Sequence, residues 1–62
     1  MDLQLKILEE LTKSNNLLTN LQKELRSISD FSDRCDIHTT IEKELVRNET
    51  LIEIYNLTEE NN

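Results

Sequence analysis

A seven-residue repeat of mostly apolar positions runs through the first half of the chain. Steps of four and three residues alternate along it, which keeps one stripe of an α-helix apolar. Neither glycine nor proline occurs in the 62 residues, so no residue of that kind interrupts a helix. The repeat predicts a long helix that packs against other helices. Its positions are Ile7, Leu11, Ser14, Leu18, Leu21, Leu25 and Ile28, of which only Ser14 is polar.

The repeat predicts a first helix over about residues 3–29, with Asp2 as its N-cap. Serine and aspartate are dense between Ser29 and Asp36, and such side chains favour turns and caps over helix interiors. We therefore expect a connection at about residues 30–38, with Phe31 closing the end of the core.

A capping-box pattern predicts the start of a second helix, over about residues 39–57. Thr39 and Glu42 stand at the spacing of that pattern, and Asp36 is a nearly equivalent start. Residues 58–62 form a predicted solvated tail. The apolar face of this second helix is expected to comprise Ile37, Ile41, Leu45, Asn48, Leu51, Ile52 and Tyr55.

These elements predict an all-α fold in which residues 1–62 form a single helical-hairpin domain. A chain this short buries little surface on folding and is only marginally stable by itself. We therefore expect two hairpins to dimerise into a four-helix bundle. The alternative is one long helix over residues 3–57 in a parallel coiled coil. The self-association core is expected to comprise Ile7, Leu11, Leu18, Leu21, Leu25, Ile28, Ile41, Leu45, Ile52 and Tyr55.

Some apolar residues lie away from the main stripes. Leu5 and Leu8 are off the stripe of the first helix and can form a second small contact there. On the second helix a similar outward group, with neighbouring acids, is the candidate surface for a partner protein. That candidate surface consists of Val46, Ile54, Leu57, Glu42, Glu49 and Glu53.

The sequence offers no convincing catalytic or metal site, and we expect a protein that is not an enzyme and needs no cofactor. Cys35, Asp36 and His38 lie close together, but a structural zinc site takes four ligands and the chain has one Cys and one His. A lone cysteine also excludes an intramolecular disulfide. Without glycine there is no phosphate-cradling loop.

Charge is distributed unevenly along the chain. The net charge is −6, and residues 1–29 balance four acids with four bases, so the excess lies in residues 30–62. This argues against direct nucleic-acid binding, which needs clustered Lys and Arg, and favours a partner with a basic surface. An alternative is that the acidic second helix mimics nucleic acid. Its charge would come from Asp30, Asp33, Asp36, Glu42, Glu44, Glu49 and Glu53.

In length, predicted topology and acidic tail the chain resembles the Rop family of small plasmid RNA-binding hairpins, which dimerise into four-helix bundles. The resemblance implies an RNA-binding bundle as an alternative function. A purely structural coiled-coil oligomerisation segment is a further alternative.

The function predicted first is a small protein-binding regulator, inhibitor or adaptor that binds itself and another protein through helix packing. The start has neither a basic region nor a continuous apolar segment, which predicts a cytoplasmic protein that does not engage a membrane. Small size and composition favour a phage, plasmid or bacterial accessory protein.

Overall fold

A computed structural model of the chain describes residues 2–60. Two helices, α1 (Leu3–Ser27) and α2 (Phe31–Glu60), pack against each other as an antiparallel hairpin. The hairpin is a thin rod of 48 × 15 × 13 Å. The all-α class and the two packed helices predicted from the sequence are therefore confirmed.

Helix α1 begins and ends close to the predicted residues. The carboxylate of Asp2 accepts a 2.9 Å hydrogen bond from the backbone N–H of Gln4, which satisfies one of the free donors of the first turn. At the other end Ile28 leaves the helix with extended backbone, and its N–H still donates to the carbonyl of Glu24. No residue from 2 to 60 needs a positive φ, so the chain turns without glycine.

The connection is only three residues long, because the serine- and aspartate-rich segment begins a helix instead of forming a loop. Asp30 accepts a hydrogen bond from the backbone N–H of Asp33 at 3.2 Å, and its carbonyl accepts from Arg34. Asp30 thus caps α2, which begins at Phe31 and not near Thr39. The hydroxyls of Thr39 and Thr40 donate back to carbonyls four residues earlier, within the helix.

Two other expectations about α2 also differ from the structure. The helix continues to Glu60 through part of the predicted tail, whose last two residues lie outside the described ones. Phe31 is 80% exposed at the start of the helix and does not close the core. Position 31 lies outside the inward stripe of α2, which begins with Arg34 and Ile37.

The seam is built from one stripe of each helix with the same alternating spacing. On α1 the stripe includes the predicted repeat from Ile7 to Ile28, and every one of those residues is buried or half-buried. On α2 the stripe runs through positions 34, 37, 41, 44, 48, 51, 55 and 58, all likewise buried or half-buried. This spacing is that of a two-stranded coiled-coil seam.

Candidate functional site

Polar residues occupy the middle of the seam, where an apolar core is normally continuous. We call this group the polar layer and define it as Glu10, Ser14, Glu44, Arg47 and Asn48. Ser14 is fully buried, with 0% of its surface exposed, and Glu44 is also buried. Both stand at heptad positions that point at the opposite helix. The layer therefore joins α1 to α2 around two side chains, Ser14 and Glu44, that are withdrawn from water.

Ser14 is the centre of this network because its hydroxyl both donates and accepts. It donates to Glu44 Oε2 at 2.8 Å and accepts from Asn48 Nδ2 at 3.0 Å. The same Asn48 amide nitrogen donates to Asn15 Oδ1 at 2.9 Å, on the adjacent residue of α1. Three residues of the seam are thereby bound in one continuous chain of hydrogen bonds.

Arg47 extends the layer to the surface and binds carboxylates on both helices. Its Nη1 donates to Glu44 Oε2 at 3.0 Å, and its Nη2 donates to Glu10 Oε2 at 2.9 Å. Glu10 also lies 3.5 Å from the ammonium group of Lys13, one turn along α1. Among the described residues no buried side-chain nitrogen or oxygen lacks a hydrogen-bond partner. A fully satisfied layer avoids the cost of an unpaired buried polar group.

The network favours the charged forms of its central groups. The hydrogen bond from Ser14 lowers the pKa of the Glu44 carboxyl, and Arg47 adds to this effect, while burial opposes it. The pKa of Arg47 is raised, chiefly by its hydrogen bond to Glu44 and by the charge of that carboxylate. At neutral pH the seam thus contains a carboxylate held by a hydroxyl and a guanidinium.

The polar layer can select the alignment of α1 against α2, since its bonds between the helices need particular partners at the same level. Sliding one helix by a turn would separate Ser14 from the Glu44 carboxylate, which would then lose the donor that α1 supplies. Such a loss costs more than the native bond contributes. A buried polar residue in a coiled-coil seam is a known device for fixing register. The layer presents no exposed nucleophile, since its one hydroxyl is fully buried.

The residues predicted for the self-association core fall into three groups within one chain. Ile7 and Leu21 are buried, with 5% and 9% exposed, and they lie on either side of the polar layer. Leu45 and Ile52 are exposed in the single hairpin, because Glu44 and Leu51 take the inward positions of α2. The others are half-buried: Leu11, Leu18, Leu25, Ile28, Ile41 and Tyr55.

The candidate partner surface is exposed throughout. Spacings of three and four residues place five of its six members on one outward stripe of α2, on the face turned away from α1. That stripe, which we call the outward stripe, consists of Glu42, Val46, Glu49, Glu53 and Leu57. Ile54 lies to one side of it.

Sequence reasoning missed two groups that the structure makes important. It counted Glu44 among the acids that would give a nucleic-acid mimic its charge, although extending the spacing of Ile37 and Ile41 leads to positions 44, 48 and 51. It also gave no role to Arg34, whose Nη1 donates to the carbonyls of Leu25 and Ile28 at 2.7 and 2.9 Å. Arg34 thereby pairs carbonyls that the end of α1 leaves free.

Neither a metal centre nor a membrane span emerges from residues 2–60. No three side chains of the His, Cys, Asp or Glu type converge there on a point where an ion could bind, and Cys35 is an exposed free thiol. Neither helix combines the length and apolar character that crossing a bilayer requires.

Comparison of the chain with protein-family models, with curated proteins and with solved structures finds no match in any of the three.

Proposed function

We propose that this protein is a non-catalytic protein-binding regulator that acts through helix packing, and that its first partner is a second copy of itself. One observation carries the proposal. Among its described residues the hairpin leaves ten large apolar side chains exposed, while Ile7 and Leu21 are the only apolar side chains that its seam buries. Large apolar side chains exposed in this number are suited to burial against another protein.

The geometry of two helices explains why the core is thin. A single pair of helices has water on both sides of its seam, so most inward residues are only half covered. Two hairpins that pack side by side enclose a shared core in a four-helix bundle. Domains of this size commonly gain stability by oligomerisation. Self-association therefore supplies the burial that one hairpin lacks.

A second protein would then meet the surface that dimerisation leaves free. The outward stripe suits this role, because Val46 and Leu57 offer apolar contact among three carboxylates. Such a stripe would fit a partner helix or groove with a basic rim and an apolar centre. The function we propose is therefore that of a dimeric regulator, inhibitor or adaptor with an acidic outer face.

Self-association is tested by sedimentation equilibrium over a wide range of concentrations, with far-ultraviolet circular dichroism on the same samples. We expect a reversible, strongly helical dimer. A helical monomer at every concentration would contradict self-association.

The outer face is tested separately by affinity capture from the native host, with wild-type protein and with Val46→Lys as bait. A partner held by the wild type, released by salt and lost with Val46→Lys supports the outward stripe. Equal capture of that partner by both baits would exclude the stripe as its binding surface.

A further inference from the structure

One side of the hairpin carries no formal charge along the line that borders the seam, from residue 8 to residue 22 of α1 and from residue 38 to residue 52 of α2; the next position on the α2 line, near the end of the helix, is the acid Glu59. Two sets at seven-residue steps form it: Leu8, Asn15 and Gln22 on α1, and His38, Leu45 and Ile52 on α2. All six are exposed. We call these six residues the uncharged side. On α1 the next line outward is uncharged from Leu5 to Thr19 and ends in Arg26, whereas on α2 the next line outward carries Glu42 and Glu49. In a chain with 32% charged residues, this absence needs a reason.

We propose that the uncharged side is the surface on which a second copy of the hairpin docks, which specifies the self-association proposed above. Its centre is apolar. Leu45 and Ile52 stand two turns apart on α2, and both are exposed. The bonds from Ser14 to Glu44 and from Glu10 to Arg47 fix the antiparallel alignment, which brings Leu8 toward the level of Ile52.

The opposite side of the seam has a different character. The residues that border the seam on that side include Glu10 and Glu24 on α1 and Asp33 and Arg47 on α2. A chain with net charge −6 repels its own copy, and that repulsion is least where the facing surfaces carry no acids. Depletion of charged residues is also the compositional mark of an interface core. Charge therefore selects the uncharged side for contact between identical chains.

Burial within the seam is uneven, and the less buried half of the seam lies next to the uncharged side. The four buried residues of the hairpin, Ile7, Ser14, Leu21 and Glu44, all stand on the heptad line nearer the charged side. The line nearer the uncharged side is only half-buried, including Leu11, Leu18 and Ile41. A second hairpin placed there would cover the open half of the core together with Leu8, Leu45 and Ile52.

A contact of this kind pairs a surface with itself around a two-fold axis. An uncharged, partly apolar surface is compatible with its own copy, which a surface rich in acids is not. The occupant is thus a second copy of this chain, and the outward stripe stays accessible on both copies.

The test compares substitutions at two adjacent residues of α2, one on the uncharged side and the other on the outward stripe. Leu45→Lys puts a charge on the uncharged side, and Val46→Lys puts the same charge on the outward stripe. The two are matched, since each lies three or four residues from both Glu42 and Glu49 and offers the new lysine the same helical ion pairs. Gln22→Lys is a second probe on α1 that adds charge without removing an apolar contact.

Sedimentation equilibrium gives the dimer dissociation constant of each variant, with circular dichroism as the check on helix content. We expect Leu45→Lys and Gln22→Lys to raise that constant about tenfold or more, and Val46→Lys to change it less than about twofold. If both probes leave the dimer intact while Leu17→Lys or Ile54→Lys dissociates it, the other side is the interface and only this inference fails. A monomeric wild-type protein would overturn this inference and the proposed self-association together.

Discussion

The hydroxyl of Ser14 donates a 2.8 Å hydrogen bond to the Glu44 carboxylate across the middle of the hairpin. This contact joins two heptad positions that would ordinarily be apolar, and it lies between the buried side chains of Ile7 and Leu21. Asn48 and Arg47 complete the bonding of the two groups. The polar layer thus divides the apolar seam into two parts and fixes the alignment of α1 against α2.

Removing the Ser14 hydroxyl should destabilise the protein by about 1–3 kcal/mol, because Ser14→Ala leaves the Glu44 carboxylate short of a donor in a buried place. Thr12→Ala is the matched control on the same helix, since the exposed Thr12 hydroxyl only donates back to Leu8. We expect the control to cost less than about 0.5 kcal/mol. Urea unfolding at one fixed protein concentration measures both, and equal losses would contradict a special role for Ser14.

The contribution of Glu44 to stability should depend on pH. Its pKa is lowered in the folded protein, first by the Ser14 hydrogen bond, whereas in the unfolded chain the carboxyl has the ordinary pKa of a glutamate. The stabilisation is therefore fully present above that ordinary value and is lost as pH falls through it toward the lowered pKa. Thermal unfolding of the wild type and of Glu44→Gln across this acidic range measures the difference. Parallel pH profiles would refute the prediction.

The apolar part of the seam should be sensitive at Leu21 and much less so at Leu17. Leu21→Ala is expected to cost about 2–5 kcal/mol, as truncations of buried leucines do. Leu17 is exposed on the same helix, and Leu17→Ala should cost less than about 1 kcal/mol. Denaturant unfolding at matched concentration compares them, and a larger loss at Leu17 would place the core elsewhere.

Arg34 should stabilise the hairpin end by binding the carbonyls of Leu25 and Ile28. Arg34→Gln removes the charged donor, and we expect a loss of about 1–2 kcal/mol. Arg26→Gln removes an equal charge from an exposed position near the end of α1 and serves as control. Hydrogen exchange of the last turn of α1 should accelerate in Arg34→Gln alone. Unchanged exchange there would show that the cap does not secure the helix end.

The class of the fold and the stripe of α1 could be predicted from sequence because apolar spacing in α1 is regular. In α2 the apolar residues divide between two faces, so Leu45 and Ile52 were placed on the same face as Ile37 and Ile41. The inward position instead belongs to Glu44, whose burial depends on partners about thirty residues away. The start of α2 was placed too late because Asp30 and Asp33 serve a cap as readily as a loop.

The polar layer itself could be anticipated only in part. Ser14 and Asn48 stand at interruptions of the repeat and could be identified as polar positions in a core. The hydrogen bond between them, and the role of Arg47, depend on which turn of α1 lies beside which turn of α2. That alignment follows from the three-residue connection, whose length the sequence did not reveal because it contains no glycine.

The central claim, that a second copy of the chain covers the exposed apolar residues of the uncharged side, is tested most directly by thermal unfolding at a series of protein concentrations. Folding that is coupled to dimerisation is favoured by mass action, so we predict a Tm that rises steadily with concentration. A Tm that stays constant from the most dilute to the most concentrated sample would contradict the account. The stability of the hairpin would then arise within a single chain.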